Sequence, residues 1–346
     1  MSGALGTAGW PGVPACVLWL AWLASPQIVL AAEDDWAAPL AIQGKSVQEM
    51  LRAAGHGATT QESTHFVVVR TAGAGPADEL TRRLELVYQA HVQFISELRV
   101  PAHPPRYKLE VYFFATYEEF KTHLAALGEP RADLLGGYEP ATKRAAFFDF
   151  DTYPPLAAIR AAVTQAEPGQ RDKLRARLQR RQEVLLTSVI QHEAAHQIQH
   201  NVGLFPAPER APIWLTEGLA MLLEAPVETP DSRPPLNSYR LFEFRKLYGD
   251  GRQTLGDVRR LLVDDDAWCG GKCYPLAWAI VHYLRDERPA GLVKLLRRAA
   301  EGELPHGTAE RGAVLDELFG PVNETWIDRF YSATMQLPLD TSAFAE

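Results

Sequence analysis

The spacing of hydrophobic residues changes near residue 155 and divides the chain into two parts. In the first part, short runs rich in β-branched and aromatic residues predict strands over residues 65–71, 108–114 and 145–150. Between these runs, apolar residues recur every three or four positions and predict helices over 77–98 and 117–127. The alternating elements predict a small α/β unit with a short sheet.

In the second part, helical spacing continues almost to the C-terminus, and Pro and Gly mark most of the joints between helices. The predicted helices cover residues 156–166, 170–201, 214–224, 238–248, 255–263, 274–285, 291–301 and 324–335. The whole pattern therefore predicts an α+β fold, in which a small α/β N-terminal unit joins a larger, mainly helical domain.

A candidate export signal lies at the N-terminus. Residues 15–24 form an uncharged apolar run, residues 28–32 form a second one, and acidic residues follow at once. An apolar run that closes on small residues and then charge is typical of a secretory signal peptide. We expect a signal peptide at residues 1–32 and a linker at 33–63. An α/β subdomain should follow at 64–154, then a helical subdomain at 155–338 and a short tail at 339–346.

The signal lacks the usual basic start, because no Lys or Arg precedes Lys45. A retained N-terminal membrane anchor is therefore the alternative to cleavage. Ser25, Pro26 and Gln27 interrupt the apolar run and leave few continuous apolar residues for a bilayer span. The sequence favours an exported protein, periplasmic or extracellular, with no membrane segment elsewhere.

The net charge of −8 argues against a nucleic-acid partner, since proteins that bind nucleic acids usually present a basic face. The charge leaves a peptide or protein substrate open.

A metal-binding pattern occurs at residues 192–196, which read His-Glu-Ala-Ala-His within an apolar helical run. Side chains four positions apart on a helix lie one above the other, so both imidazoles can reach one metal ion. Glu193 is rotated by about 100° from His192, beside the ion, where it can take a proton from water. The pattern predicts a Zn²⁺ site with Glu193 as the general base.

A third ligand is expected downstream, because catalytic zinc usually takes three protein ligands and keeps a fourth position open. Glu217 lies in the next predicted helix, within the apolar segment 214–220. A carboxylate among Trp214, Leu215 and Leu219 is poorly placed for solvent, and burial requires a partner such as a metal. The alternative is a first-turn glutamate that interacts with the helix dipole.

These segments resemble the gluzincin metallopeptidases. The segment 214–220, Trp-Leu-Thr-Glu-Gly-Leu-Ala, is similar to the Trp-Leu-x-Glu-Gly-Phe-Ala of the aminopeptidase N family. The segment 274–284 resembles a later helix of that family, which begins with a catalytic tyrosine, so the resemblance implies that Tyr274 stabilises the oxyanion. The alternative is an ordinary aromatic residue at a helix start.

The closest resemblance is to bacterial peptidase MA-like proteins, whose function is largely unknown, and it spans residues 64–335. That resemblance includes a Gly-Tyr turn at Gly137 and Tyr138. It implies a zincin-like helical domain and a zinc metallopeptidase in which His192, His196 and Glu217 hold the metal.

The chain departs from the family patterns at two positions. The aminopeptidase strand Gly-x-Met-Glu-Asn has only a poor match, at 137–139, so specificity for a free amino terminus is not expected. Thermolysin-like gluzincins place an Asp four residues after the ligand Glu, where this chain has Met221, so the sequence names no hydrogen-bond partner for a ligand histidine.

Two further histidines lie near these motifs. His200 follows His196 by one turn, but eight residues after His192 a straight helix has rotated by about 80°, so His200 is not expected to bind the metal. His282 is expected to be a packing residue.

Two cysteines, Cys269 and Cys273, remain beyond the signal segment. They immediately precede Tyr274 and lie within disulfide reach. A disulfide between them and a pair of separate thiols are both compatible with the sequence.

Three other functions stay open at this point. One is a non-catalytic zinc-bound binding or scaffold domain of the cell envelope. Another is a zinc amidase that acts on a non-protein amide. The last is a metal-free interaction module.

Overall fold

The computed structural model describes residues 35–128, 134–206, 210–225, 235–249 and 255–341. The predicted signal peptide at 1–32 lies outside the described residues. The described residues belong to one compact unit that begins at Asp35. None of their helices is both long enough and apolar enough to cross a bilayer.

A five-stranded mixed sheet forms the first part of this unit. The strands lie in the order β1-β2-β3-β5-β4, so β1 and β4 form the two edges. β2, β3 and β5 run parallel, and the edge strands pair antiparallel with β2 and β5. The strands are β1 Thr59–Glu62, β2 Phe66–Arg70, β3 Leu109–Phe114, β4 Gly137–Glu139 and β5 Arg144–Phe148.

The segment 33–63, expected as a linker, instead contributes two elements. Helix α1 covers Gly44–Ala54 and buries Val47 and Met50. Strand β1 follows and pairs with β2. The sequence did not reveal β1 because its residues, Thr-Thr-Gln-Glu, are mostly exposed at a sheet edge and carry no alternating apolar face.

Strand β4 lies where a Gly-Tyr turn was expected. Gly137 pairs with Ala146 and Tyr138 with Ala145 of β5. Gly136, directly before the strand, passes close to Val189, because a Cβ at this glycine would lie 2.6 Å from Val189 Cγ1. The sheet therefore extends to this edge, and a glycine permits its close approach to the helical part.

Helices account for most of the remaining described residues, as expected, and the α+β class is confirmed. They are α2 Ala74–Leu98, α3 Tyr117–Ala126, α4 Pro154–Gln165, α5 Pro168–Leu185, α6 Gln191–Asn201, α7 Ile213–Leu222, α8 Ser238–Tyr248, α9 Leu255–Val263, α10 Tyr274–Glu287, α11 Pro289–Ala300, α12 Thr308–Phe319 and α13 Glu324–Gln336. Of these helices, α12 is the one that hydrophobic spacing did not predict, and α1 escaped prediction as well.

A π-helical segment, Leu186–Ile190, joins α5 to α6, so the helix expected over 170–201 is continuous but not uniform. Two hydroxyls within it bond to carbonyls of the preceding turn, Thr187 Oγ1 to Glu183 and Ser188 Oγ to Val184. Such back-bonding perturbs a helix, and π-helical turns occur frequently at functional sites. Here the perturbed turn immediately precedes the segment that carries the two expected metal ligands.

The helical part has its most extensive helix-to-helix contact between α7 and α10. Gly218 of α7 and Ala277 of α10 meet there, and the next residue of each helix, Leu219 and Trp278, is fully buried. α6 packs against α7 on one side and against β3, β4 and β5 on another. The metal ligands expected on α6 and α7 therefore lie between the sheet and the helical core.

Candidate metal centre

Three side chains from two neighbouring helices converge at the contact between α6 and α7. Glu217 Oε2 lies 2.9 Å from His192 Nε2 and 3.4 Å from His196 Nε2, and the two Nε2 atoms are 3.0 Å apart. One ligand atom from each residue lies within 4.8 Å of the other two. His192, His196 and Glu217 form a largely buried group that can hold a metal ion.

The charges of this group suit a cation. Burial raises the pKa of the Glu217 carboxyl, but His196 and His192 more than offset this effect and hold the pKa well below its usual range. Burial lowers the pKa of His192, whereas Glu217 and Glu224 raise it, to about 10 overall. Two buried carboxylates thus surround His192 and favour positive charge at this position.

The environment of one Glu217 oxygen also favours a bound cation. Glu217 Oε2 is buried, yet it accepts no hydrogen bond of good geometry from the described residues. A buried carboxylate oxygen that lacks a well-aligned hydrogen bond is costly, even beside the two imidazole nitrogens at 2.9 and 3.4 Å. An ion bound between the three ligand atoms would satisfy it.

The partner of His192, which the sequence did not identify, is Glu224. His192 Nδ1 lies 2.9 Å from Glu224 Oε1, and the carboxylate is 2% exposed. Because an ionised carboxylate only accepts, Nδ1 carries the proton and donates it, which leaves the Nε2 lone pair for a metal. Met221, which stands where thermolysin-like gluzincins have an Asp, is fully buried.

Glu224 follows Glu217 by seven residues, which is close to two helical turns and therefore the same face. A carboxylate within the apolar run 219–225 was the sequence signal that could have identified it. Although α7 ends at Leu222, the amide of Glu224 donates to the carbonyl of Met221 and continues the turn.

Two residues at the start of α8 hold the Glu224 carboxylate. Arg240 donates from Nε to Oε2 and from Nη2 to Oε1, both at 2.8 Å. Asn237 Nδ2 donates to Oε2 at 3.1 Å and to the carbonyl of Met221 at 3.0 Å. Burial raises the pKa of Glu224, but Arg240 and His192 lower it to about 2 overall.

Tyr274 begins α10 and lines the same cleft as the metal group. Its ring centroid lies 5.9 Å from that of His192 and 5.3 Å from that of Trp268. Burial, together with the negative charges of Glu217 and Glu193, raises the pKa of Tyr274 above its ordinary value. The hydroxyl therefore keeps its proton at neutral pH and can donate a hydrogen bond.

A disulfide joins Cys269 and Cys273, so the structure decides between the two alternatives that the sequence left open. The bridge closes the short turn that contains the 3₁₀ helix Gly270–Lys272. α10 and Tyr274 start directly after it. The crosslink thus restrains the backbone from which Tyr274 projects.

The metal group opens into a cleft of about 1010 Å³, a volume at the upper end for small-ligand pockets. Glu193 lines this cleft and is half-buried. From the metal group the cleft extends to β4, where Tyr138 lines it, and to α3.

His200 and His282 lie outside the metal group, as expected. His200 Nδ1 lies 3.1 Å from the hydroxyl of Tyr138, and burial, with a contribution from His196, lowers the pKa of His200 to about 3. His282 packs on Trp278, with 5.3 Å between ring centroids.

One family model matches the chain, over residues 186–304, about a third of its length. Its description is a protein of unknown function, DUF1570, and it therefore provides no activity. The matched region includes the metal group, Glu224, Arg240 and Tyr274. No curated protein matches the chain.

Proposed function

We propose that this protein is an exported zinc-dependent hydrolase that cleaves peptide bonds. The observation that carries the proposal is the convergence of His192, His196 and Glu217 on one cleft, with Glu193 and Tyr274 on its lining. Metal-free binding domains have no need for this combination of ligands, base and hydrogen-bond donor.

The donor set supports zinc as the metal. Two imidazole nitrogens and one carboxylate oxygen are a known ligand set of catalytic zinc and leave a coordination position for water or substrate. Mg²⁺ and Ca²⁺ prefer oxygen ligands, so two histidines disfavour them. The hydrogen bond from His192 to Glu224 is the outer contact that zinc-binding histidines usually make.

Within the site, bound zinc would supply Lewis-acid polarisation of water and of the scissile carbonyl. Glu193 accepts the proton of the attacking water and passes it to the leaving nitrogen. The Tyr274 hydroxyl donates a hydrogen bond to the developing oxyanion, and its raised pKa keeps it a donor. The base and the donor come from two different helices, α6 and α10, and line one cleft.

We propose cleavage within a chain rather than removal of the first residue, because β4, which reads Gly-Tyr-Glu, is a poor match to the strand that holds the free amine in aminopeptidases. A free amino terminus would need a carboxylate to receive its charge. Glu139 is the acid of β4, lines the cleft, and accepts a hydrogen bond from the amide of Ala141 at Oε1. Tyr138, the preceding residue, directs its hydroxyl to His200.

The test uses the mature protein, a peptide library and elemental analysis. We expect one zinc per chain and cleavage of internal bonds, with N-acetylated peptides cut as readily as free ones. Glu193→Gln should keep the zinc and lose activity by about 10²–10⁴-fold, since general base catalysis contributes that much. A zinc-free protein, or full activity in Glu193→Gln, would overturn the proposal.

A further inference from the structure

Arg240 touches two parts of the metal centre that lie on different helices. Its guanidinium forms two hydrogen bonds with Glu224, the partner of His192, and its Cζ lies 5.5 Å from the ring centroid of Tyr274. We infer that Arg240 is a positioning residue that orients His192 through Glu224 and, separately, orients the ring of Tyr274. The inference rests on the proposed function, in which His192 binds zinc and Tyr274 donates to the oxyanion.

Arg240 fixes the plane of the Glu224 carboxylate. Oε1 accepts from both His192 Nδ1, at 2.9 Å, and Arg240 Nη2, at 2.8 Å. The second arginine bond, from Nε to Oε2, prevents rotation of the carboxylate, because two parallel bonds fix both oxygens. Oε1 therefore stays opposite Nδ1, and the imidazole keeps Nε2 directed at Glu217.

Burial makes this arrangement dependent on arginine. Glu224 is 2% exposed and Arg240 is 11% exposed, so neither charge is compensated by solvent. Asn237 supplies one more donor to Oε2 but no charge. A lysine would supply a point charge without the planar fork, so it would neutralise Glu224 without fixing its plane.

Arg240 also contacts the ring of Tyr274. The guanidinium of Arg240 lies within cation–π distance of this ring. The Trp268 ring packs edge-on against it, at an interplanar angle of 68°. Two neighbours of fixed position therefore define where the Tyr274 hydroxyl points. Loss of the Arg240 contact should therefore lower turnover through the Tyr274 ring, separately from its effect on metal affinity through Glu224.

Arg240 is itself held at several points. Its amide donates to the Asn237 side chain, which caps α8, and its Nη1 donates to Glu243 at 2.7 Å. The guanidinium also lies 5.4 Å from the ring of Tyr239. A side chain restrained in this way can transmit its own position to Glu224 and Tyr274.

The test measures zinc affinity by competition with a zinc-binding fluorescent chelator, so it requires no substrate. We expect Arg240→Gln to weaken zinc binding by about 10–100-fold, the usual effect of losing an outer contact to a ligand histidine. Arg240→Lys should recover only part of the loss. On a cleaved peptide, Arg240→Gln should lower kcat by more than it changes KM.

Arg259→Gln is the matched control. It also breaks a bidentate pair, with Asp316, but neither residue lines the cleft. This variant should keep the zinc affinity of the wild type.

Arg240→Gln leaves a buried Glu224 charge without compensation and can fail to fold, so the double variant with Glu224→Gln is measured as well. Because Arg240 acts on the metal through Glu224, we expect Glu224→Gln and the double variant to lose the same zinc affinity. Additive losses, or wild-type zinc affinity in a folded Arg240→Gln or in the double variant, would overturn the inference.

The zinc measurement separates this inference from the proposed function. A wild-type protein that binds zinc but cleaves no peptide contradicts only the peptidase activity, and the affinities of the variants still decide the role of Arg240 toward His192. A wild-type protein that binds no zinc overturns both.

Discussion

Gly218 of α7 lies directly against the carbonyl oxygen of Ala277 in α10. A Cβ at Gly218 would be 2.7 Å from that oxygen and 2.4 Å from Val281 Cγ2. The two helices therefore approach more closely than any larger residue would permit. This contact places Glu217, the residue before Gly218, and Tyr274, at the start of α10, on one cleft.

The first prediction follows from this contact. Gly218→Ala should lower the free energy of unfolding by about 1–3 kcal/mol, because a backbone oxygen cannot move aside as a side chain can. Urea denaturation measures the effect. Gly169→Ala in α5, where a Cβ would meet no atom within 4 Å, is the control, and it should be neutral or stabilising. Equal midpoints of urea denaturation for Gly218→Ala and Gly169→Ala would contradict the prediction.

Removal of the carboxylate ligand should remove the metal. We expect Glu217→Gln to retain the fold and to lose most bound zinc, because a neutral amide is a poor replacement for a charged ligand between two imidazoles. Elemental analysis after dialysis measures the metal content. His200→Ala, one turn beyond His196 but outside the metal group, should keep one zinc per chain. Retention of zinc by Glu217→Gln would show that Glu217 is not a ligand.

The disulfide should stabilise the folded protein and should help to position Tyr274. For a loop of this length, replacement of Cys269 and Cys273 by serine should cost about 2 kcal/mol of unfolding free energy. Because Tyr274 follows the bridge directly, the same double variant should lower kcat while it keeps its zinc. Urea denaturation, zinc content and peptide turnover measure the three effects. Unchanged turnover would separate the bridge from the position of Tyr274.

The stability of the protein should fall between pH 6.5 and pH 4. His91 is 1% exposed, and burial is the main reason that its pKa is lowered to about 4. Its stabilising contribution is complete above the unfolded pKa of about 6.5 and is lost as the pH falls toward the folded pKa, since the unfolded chain takes up the proton first.

The variant His91→Asn isolates this effect. The difference in unfolding free energy between wild type and variant should change by on the order of 2–3 kcal/mol between pH 7 and pH 4, in favour of the variant at low pH. Urea titrations at both pH values measure it. A constant difference would mean that His91 does not titrate as its burial implies.

Much of the fold could be predicted from the sequence because the relevant signals are local. The β-branched runs at β2, β3 and β5, and the spacing in α8 and α9, report burial within a few residues. β1 and β4 escaped prediction because both are short edge strands without an alternating apolar face, although each pairs with the strand that follows it in the chain. α12 escaped prediction because its buried positions, such as Leu315 and Phe319, are few and the intervening positions are polar.

The candidate site also has one part that local sequence spacing predicts and another part that depends on the tertiary structure. The sequence by itself determined that His192 and His196 share one helical face, since a spacing of four residues fixes that geometry within one turn. It also supplied Glu217 as the third member of the group. The zinc, the chemistry of Glu193 and the role of Tyr274 stay predictions.

Only the tertiary structure decided which groups surround that helical face. Glu224 meets His192 because α7 folds against α6, and Arg240 of α8 in turn reaches Glu224, and no local spacing encodes contacts across 32 and 16 residues. The sequence did not decide whether Cys269 and Cys273 form a disulfide, for a different reason. Their spacing permits the bond, but only the backbone geometry brings the sulfur atoms together. Local periodicity fixes the ligand pair, and packing between helices decides what holds it in place.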